Sequence, residues 1–434
     1  MSNKSLLYTS FDALIEEISP QKLIEQRCQL KGHTLIVSDQ QYNLDKYKKI
    51  YLLGSGKAVI PMAKAMHALL RSYISQTLII GSYDCTDKFE NCLYFKSTHP
   101  LPSQKSVQAA KSLQTVMSTL GEDDLFIYLL SGGNSAMVEW PEKGISLKEF
   151  QEATSIMLDN GMPIEKMNCV RKHISQVKGG KLAKKTKATG LVLVLSDVIG
   201  DDLHSIGSAP LYCDNTNFYD AVSYLKEYRI FEQLPQSIQV FLKEGEAGSH
   251  EETPDMPEAN IKHFILGSNG LVLEKAKQIL ETKGIYSTVM NRPLQGDCDN
   301  LAKELLAYAK QHKGKRHCYI FGGKARVLPK SEGKGGRNQH LCLSVLKELD
   351  ADIDLTFLSA ATDGIDGNSQ AAGAIIDTNS QAYARKHDIN AQDYLDTFNS
   401  NGFFAQTKEL IITGPTHNNL LDIVIMLIEE RSKQ

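Results

Sequence analysis

Short apolar runs, several of them followed by a glycine-rich loop, alternate with amphipathic helical patterns along this 434-residue chain, a rhythm that few folds can accommodate. Strand-like runs at Lys49 to Leu53, Gln76 to Ile80, Leu125 to Leu130 and Gly190 to Leu195 lie among helical patterns at Ala58 to Ser72, Ser103 to Leu120, Ser146 to Asn160 and about Thr216 to Arg229. That alternation predicts an α/β protein whose parallel sheet is wrapped by helices. The stretch Gly245 to Asn260, with Gly248, Pro254 and Pro257, breaks the rhythm and reads as a linker or long surface loop. Beyond it, Ile261 to Leu266, Cys318 to Phe321, Leu355 to Ser359 and Ala374 to Ile376 predict a second α/β region. The length exceeds what one core usually holds, so two domains are expected, 1–248 and 249–434. The last apolar run, Leu420 to Ile428, reads as a packed terminal helix.

Charge excludes some functions. With 48 basic and 51 acidic residues the net charge is −3, which gives no footprint for nucleic acid or an anionic membrane. Any anion must therefore be bound locally, and the expected partner is a small-molecule substrate. No window approaches the roughly 18 apolar residues of a membrane span, and Met1 to Tyr8 lacks a signal-like apolar stretch. The eight cysteines, Cys28, Cys85, Cys92, Cys169, Cys213, Cys298, Cys318 and Cys342, are never spaced as C-x-x-C. They read as buried free thiols in a reducing compartment, so a cytoplasmic protein is expected. Assembly into a homo-oligomer is left open.

The loops suggest anion chemistry. In Ser331-Glu332-Gly333-Lys334-Gly335-Gly336-Arg337-Asn338-Gln339, glycines allow close backbone approach, and a helix starting near Asn338 adds unpaired N–H groups and its positive dipole end. Arg337 supplies a fork-shaped cation. Gly54-Ser55-Gly56-Lys57-Ala58 is not a Walker loop, because Tyr51 and Ala58 stand where a glycine and a Ser/Thr are needed. Val59 likewise spoils a dinucleotide fingerprint, which leaves Lys57 at a strand-to-helix turn. Ser131-Gly132-Gly133-Asn134-Ser135-Ala136 can wrap a phosphate, and Met137 excludes a G-x-S-x-G nucleophile elbow. Arg171, in a cation-rich stretch with Lys172, Lys178 and Lys181, suits a small carboxylate or a phosphate; a solvated helix face is the plainer reading. Asp197 and Asp363 follow strand-like runs and suit Mg²⁺ or a hydroxyl proton, although Asp-Gly turn chemistry explains the second equally well. His99, in Thr98-His99-Pro100-Leu101-Pro102, reads as a rigid turn residue.

Together these loops resemble the glycerate 2-kinase family, whose C-terminal portion is the MOFRL domain. The resemblance runs nearly the whole chain. It rests on the segments at Gly54 to Ala58, His99 to Pro102, Ser131 to Ala136, Asn168 to His173, Lys178 to Gly180, Ser196 to Asp202, Gly333 to Gln339, Thr362 to Gly367 and Thr413 to Thr416. It implies ATP-dependent phosphorylation of D-glycerate to 2-phosphoglycerate with Mg²⁺, a Rossmann-like N-terminal domain, a MOFRL-type C-terminal domain and an active site between them. The family's catalytic Lys and Arg map to Lys57 and Arg337. The expected phosphate-binding residues are Gly54, Gly56, Gly132, Gly133, Asn134, Ser135, Lys334, Gly335 and Gly336. Arg171 is expected on the substrate carboxylate, and Asp197 and Asp363 on the metal.

Four departures stand out. Lys324 and Ala325 replace the usual Glu and Thr, His340 replaces a Glu, Ser208-Ala209-Pro210-Leu211 replaces Ser-Gly-Pro-Thr, and His417-Asn418-Asn419 replaces Gly-Thr-Asn. The alternatives they keep open are a divergent sugar-acid kinase, a non-catalytic phosphometabolite sensor and a hydroxypyruvate reductase.

Overall fold

The computed structural model describes residues 2–314, 316–328, 330–350 and 353–429. It divides into two compact units, Ile24–Leu266 and a discontinuous one of Met1–Leu23 with Gly267–Gln434. The division therefore differs from 1–248 and 249–434 at both ends.

The Ile24–Leu266 unit is built on a six-stranded sheet ordered Cys92–Lys96, Ile74–Gly81, Lys49–Ser55, Asp124–Leu130, Thr189–Leu195, Ile261–Gly267. The first five pair in parallel. Numbered along the chain, that order is 3-2-1-4-5-6, the doubly wound arrangement whose strand order reverses between the first and fourth strands. Tyr51, Leu53, Phe126, Tyr128, Val192 and Val194 pack on Ala109, Leu113 and Met117 of the Gln104–Thr119 helix. That helix and Leu147–Asp159 start at capping boxes, Ser103 with Ser106 and Ser146 with Glu149, so both begin where a serine can take an orphan N–H. A second core gathers Phe150, Met157, Val170, Phe218, Leu225 and Leu242 from four helices. A small antiparallel sheet, Cys28–Lys31, Thr34–Val37 and Gln40–Asn43, completes the unit.

The expected linker is fastened down. Pro254 O accepts the Asp214 N–H at 2.7 Å, Thr253 Oγ1 donates to Asp214 Oδ2 at 3.2 Å, and Glu252 accepts the Phe218 N–H at 3.1 Å. These bonds keep 249–260 with the preceding helices and carry the boundary to Leu266.

The second unit holds a mixed sheet ordered Ser287–Val289, His317–Arg326, Asp422–Ile428, Leu355–Ala361, Gly373–Asp377, Leu410–Ile411, with Leu294–Asp297 also paired to His317–Arg326. The terminal run is thus a central strand, Asp422–Ile428, and not a helix. Every residue of it is buried, and a run apolar on both faces has no period to separate strand from helix. The β-branched Ile423, Val424, Ile425 and Ile428 favour the strand. The Asn3–Glu17 helix buries Leu7, Phe11 and Leu14 in this unit, with Lys4 paired to Asp377 at 3.1 Å and Lys283 Nζ bonded to Ser10 Oγ at 2.9 Å. All eight cysteines are free, six buried and Cys85 and Cys92 half-buried. Among the described residues no helix is long and apolar enough to cross a membrane.

Candidate active site

In the doubly wound unit, the loops after the first and fourth strands lie side by side at the switch point, where such sheets open a crevice. Lys57 N–H donates to Gly132 O at 2.9 Å, Ser131 N–H to Ser55 O at 3.1 Å, and Ala58 N–H to Ser131 Oγ at 3.0 Å. Gly54 and Gly56 serve this closeness: a Cβ on Gly54 would stand 2.8 Å from Leu129 O, and one on Gly56 2.3 Å from Ser131 Oγ. Gly56 N–H is itself spent on Ile80 O.

By contrast, no described group accepts from the N–H of Gly132, Gly133, Asn134 or Ser135. Four successive open donors form a concavity suited to an anion. Gly133 has φ +88°, and a Cβ there would meet Met137 Cε at 2.9 Å, His99 Cδ2 at 3.1 Å and Lys57 Cγ at 3.4 Å. Lys57 and His99 therefore flank the same glycine, which brings the sequence-predicted lysine to the donor row. Ser55 Oγ fixes Asn134 by donating to its Oδ1, while Asn134 Nδ2 donates to Gly207 O at 2.7 Å.

Behind this loop lies charge. Arg171 Nη2 donates to Ser135 O at 3.2 Å, and its guanidinium lies 5.8 Å from the Phe150 ring centre. Lys178 Nζ donates to Ser135 O at 2.8 Å and Val138 O at 3.0 Å and pairs with Glu139 at 2.8 Å. Glu139 also accepts from Ser175 Oγ at 2.7 Å. Burial pushes the Lys178 ammonium down to about 8 against the pull of Glu139, and burial likewise lowers Arg171. Asp197, half-buried, follows the Thr189–Leu195 strand, which is parallel to Asp124–Leu130, so it emerges on the same sheet edge as Gly132 to Ser135.

In the other unit Arg337 opens the Arg337–Glu348 helix and makes a two-pronged bond to Asp422, Nε to Oδ2 at 2.5 Å and Nη2 to Oδ1 at 2.6 Å. Burial opposes its charge, but the carboxylates around it, Asp422 foremost and then Asp366 and Asp363, together raise Arg337 above its ordinary value. The helix N-terminus carries its own anion. Asp366 accepts from Asn338 N–H at 3.1 Å and Gln339 N–H at 2.9 Å, and from both their side-chain amides. Burial moves its carboxyl up to about 6, against those donors.

Gly336 is what admits Asp366, since a Cβ there would lie 2.3 Å from Asp366 Oδ1. Gly335 N–H donates to Asn368 Oδ1 at 2.8 Å and Lys334 N–H to Asn399 Oδ1 at 3.4 Å, while Lys334 itself is exposed. Asp363, half-buried at the end of the Leu355–Ala361 strand, accepts Ile365 N–H through Oδ1 at 3.2 Å and Thr416 N–H through its carbonyl at 3.1 Å. Asp422 and Glu139 escaped the sequence reading: each is an acid within or beside an apolar run, and its basic partner is remote in sequence. Asp366 lies in the acidic loop Thr362 to Gly367, where it reads as a strand-end carboxylate beside Asp363, and its bonds to the Asn338 and Gln339 N–H groups were not foreseen.

A family model described as a domain of unknown function (DUF4147) matches residues 6–243, and the MOFRL family model matches 317–422. The chain is 31% identical over 426 residues to the glycerate 2-kinase of Pyrococcus horikoshii, covering 96% of this chain and 95% of that one. It is 33% identical over 397 residues to the D-glycerate 2-kinase of Thermotoga maritima, covering 89% and 91%. A crystal structure of the Thermotoga maritima glycerate kinase superposes with a TM-score of 0.85 at 30% sequence identity, covering 98% of this chain and 99% of that one. With a doubly wound unit, a MOFRL-matched unit and full-length likeness of this order, the chain belongs to the glycerate 2-kinase family.

Proposed function

We propose that the protein transfers the γ-phosphoryl group of ATP to the 2-hydroxyl of D-glycerate, with Mg²⁺. The observation that carries the reading is the row of open N–H donors from Gly132 to Ser135 beside Lys57 at a sheet switch point. The relatives' names supply the acceptor class.

Phosphoryl transfer needs positioning and charge neutralisation more than covalent help. The Gly132, Gly133, Asn134 and Ser135 amides hold nucleotide phosphate, and Gly54 and Gly56 shape the loop beside them. Lys57 and Arg337 neutralise charge on the transferring group. Lys334 adds an exposed cation to the second phosphate contact, presented by the Gly335-Gly336 turn that Asn368 and Asp366 hold in place. Arg171 provides the positive field for the glycerate carboxylate.

Among the described residues no group of three or more His, Cys, Asp or Glu side chains clusters to hold a metal. Mg²⁺ in nucleotide sites needs only one or two carboxylates, the rest being phosphate and water, and single carboxylates at strand ends fit that donor set. Asp197 and Asp363 are the residues we assign to the ion and to the proton of the attacking hydroxyl. Bound there, the ion offsets phosphate charge.

The test is ADP release from ATP and Mg²⁺ with D-glycerate, beside L-glycerate, tartronate and hydroxypyruvate, in the native protein, Lys57→Ala and Arg337→Ala. Turnover with D-glycerate that both substitutions abolish, giving 2-phosphoglycerate, supports the reading. No turnover with any acceptor, or full activity in either variant, overturns it.

A further inference from the structure

The side of the Gly132 to Ser135 loop that faces Arg171 carries a second polar cluster with its own direction. Ser135 Oγ lies 2.6 Å from Ser208 Oγ, and Ser208 Oγ donates to Asn168 Oδ1 at 3.2 Å. Since Ser208 gives its proton to Asn168, the short contact requires Ser135 to donate to Ser208. Two valences are left over. Ser135 Oγ retains lone pairs that can accept, and Asn168 Nδ2, for which no described residue is an acceptor, can donate.

The turn that presents Ser208 is held in an uncommon conformation. Gly207, Ser208 and Ala209 have φ of +59°, +60° and +51°, although two of them carry side chains. Left-handed backbone at non-glycine residues costs free energy and persists where the surroundings enforce it, commonly at ligand sites. Here the enforcement comes from Gly179 N–H on Ser208 O at 3.1 Å and Gly180 N–H on Ala209 O at 2.7 Å.

Charge supplies an independent pointer. Arg171 is 8% exposed, its Nε has no hydrogen-bond partner, and Glu139, the carboxylate that acts on it, is already bonded to Lys178 and Ser175. Arg171, Lys178 and Glu139 together leave one positive charge uncompensated, and buried charges are normally paired. An anionic ligand would complete the set.

A 2-hydroxy acid presents a carboxylate that accepts and a hydroxyl that donates. We infer that Ser135, Asn168 and Ser208 form the acceptor subsite: Asn168 Nδ2 donates to the carboxylate, Ser135 Oγ accepts from a hydroxyl, and Ser208 fixes the orientation of both. This rests on the kinase reading above and extends it from the reaction to the residues that select the acceptor. Phosphate and acceptor then share one loop, the backbone amides facing the nucleotide and the Ser135 side chain facing the hydroxy acid.

The experiment is steady-state kinetics with ATP and D-glycerate varied separately, in the native protein, Asn168→Ala, Asn168→Asp, Ser135→Ala and Ser208→Ala, each checked by its melting curve. Loss of a hydrogen bond to a charged group predicts that Asn168→Ala raises KM for D-glycerate roughly 10- to 100-fold. KM for ATP should stay within about twofold, because the amides that hold phosphate are untouched. Asn168→Asp, which keeps the shape and repels a carboxylate, should raise the D-glycerate KM further, so a folding defect in the alanine variant does not decide the outcome. Unchanged D-glycerate KM in folded Asn168→Asp, or a rise confined to ATP, overturns the subsite while leaving the kinase reading standing. Native protein that turns over no D-glycerate overturns both.

Discussion

Arg337 and Asp422 face each other through two parallel hydrogen bonds, so the guanidinium at the start of the Arg337–Glu348 helix has a single orientation. Asp422 is the first residue of a central strand paired on both sides, opposite Gly323 and Ala361, which ties that orientation to the sheet itself.

Asp422→Asn keeps the shape and removes the charge that holds Arg337. Breaking one partner of a largely buried pair costs about 3 kcal/mol. The expected result is a fall of that order in unfolding free energy from urea titration, with kcat down at least about tenfold as the cation loses its aim. An unchanged kcat would show that Arg337 does not depend on Asp422.

Asp366 does for the Arg337 helix what an external anion does for others, accepting two backbone N–H groups and two side-chain amides. An amide in place of this carboxylate offers one acceptor oxygen where two are used, so Asp366→Asn should lower stability by about 1–3 kcal/mol. Thermal unfolding measures it, and a variant as stable as the native protein would remove Asp366 as the cap.

Ala209 sits at φ +51°, ψ +58°, where the family's motif has glycine. A Cβ in that region costs about 1–2 kcal/mol, while glycine's freedom in the unfolded chain returns roughly 0.4–1 kcal/mol of it. Ala209→Gly should therefore gain about 0.5–1 kcal/mol in a urea titration. A loss of stability would mean that the turn is not strained by this residue.

Lys178 makes stability depend on pH. Burial lowers its ammonium from 10.5 to about 8, with Glu139 opposing the fall and Arg171 reinforcing it. Between those two values the unfolded chain holds a proton that the folded protein lacks. Stability therefore rises with pH across that window, and the cost of the buried charge is fully present below about 8. Lys178→Met abolishes the effect, so the native protein should gain on this variant between about pH 7.5 and pH 10 in urea midpoints. A constant difference between the two proteins would contradict the assignment.

The strand-loop-helix units were legible because each apolar run gives way to local punctuation, either a glycine loop such as Gly54 to Gly56 or Gly132-Gly133, or a serine cap such as Ser103 or Ser146. The order of the strands was not, since pairing Lys49–Ser55 with both Ile74–Gly81 and Asp124–Leu130 is decided by packing over long separations. The short strands from Cys28 to Asn43 left no trace: Gln40–Asn43 is mostly polar and Cys28–Lys31 half polar, so both resemble loops, and the apolar Thr34–Val37 is only four residues long. Glycines were read too simply. Those at Gly335 and Gly336 looked like openings for a ligand, yet Gly336 makes room for Asp366, and Gly335 gives its N–H to Asn368. The donors left open lie at Gly132 and Gly133, where nothing but the pattern of unused N–H groups separates them from an ordinary turn.

The chain order of the two units sets a sequence of events during synthesis. The Asn3–Glu17 helix leaves the ribosome before the Ile24–Leu266 unit, but the sheet that buries Leu7, Phe11 and Leu14 is completed only when the Asp422–Ile428 strand arrives. The Ile24–Leu266 unit, contiguous in sequence, can close its core while that helix waits with its apolar face uncovered. Detaching residues 267–434 as a separate fragment would leave the surface that covers Leu7, Phe11 and Leu14 without its helix, because the first residues of that unit lie on the far side of the Ile24–Leu266 segment in the sequence.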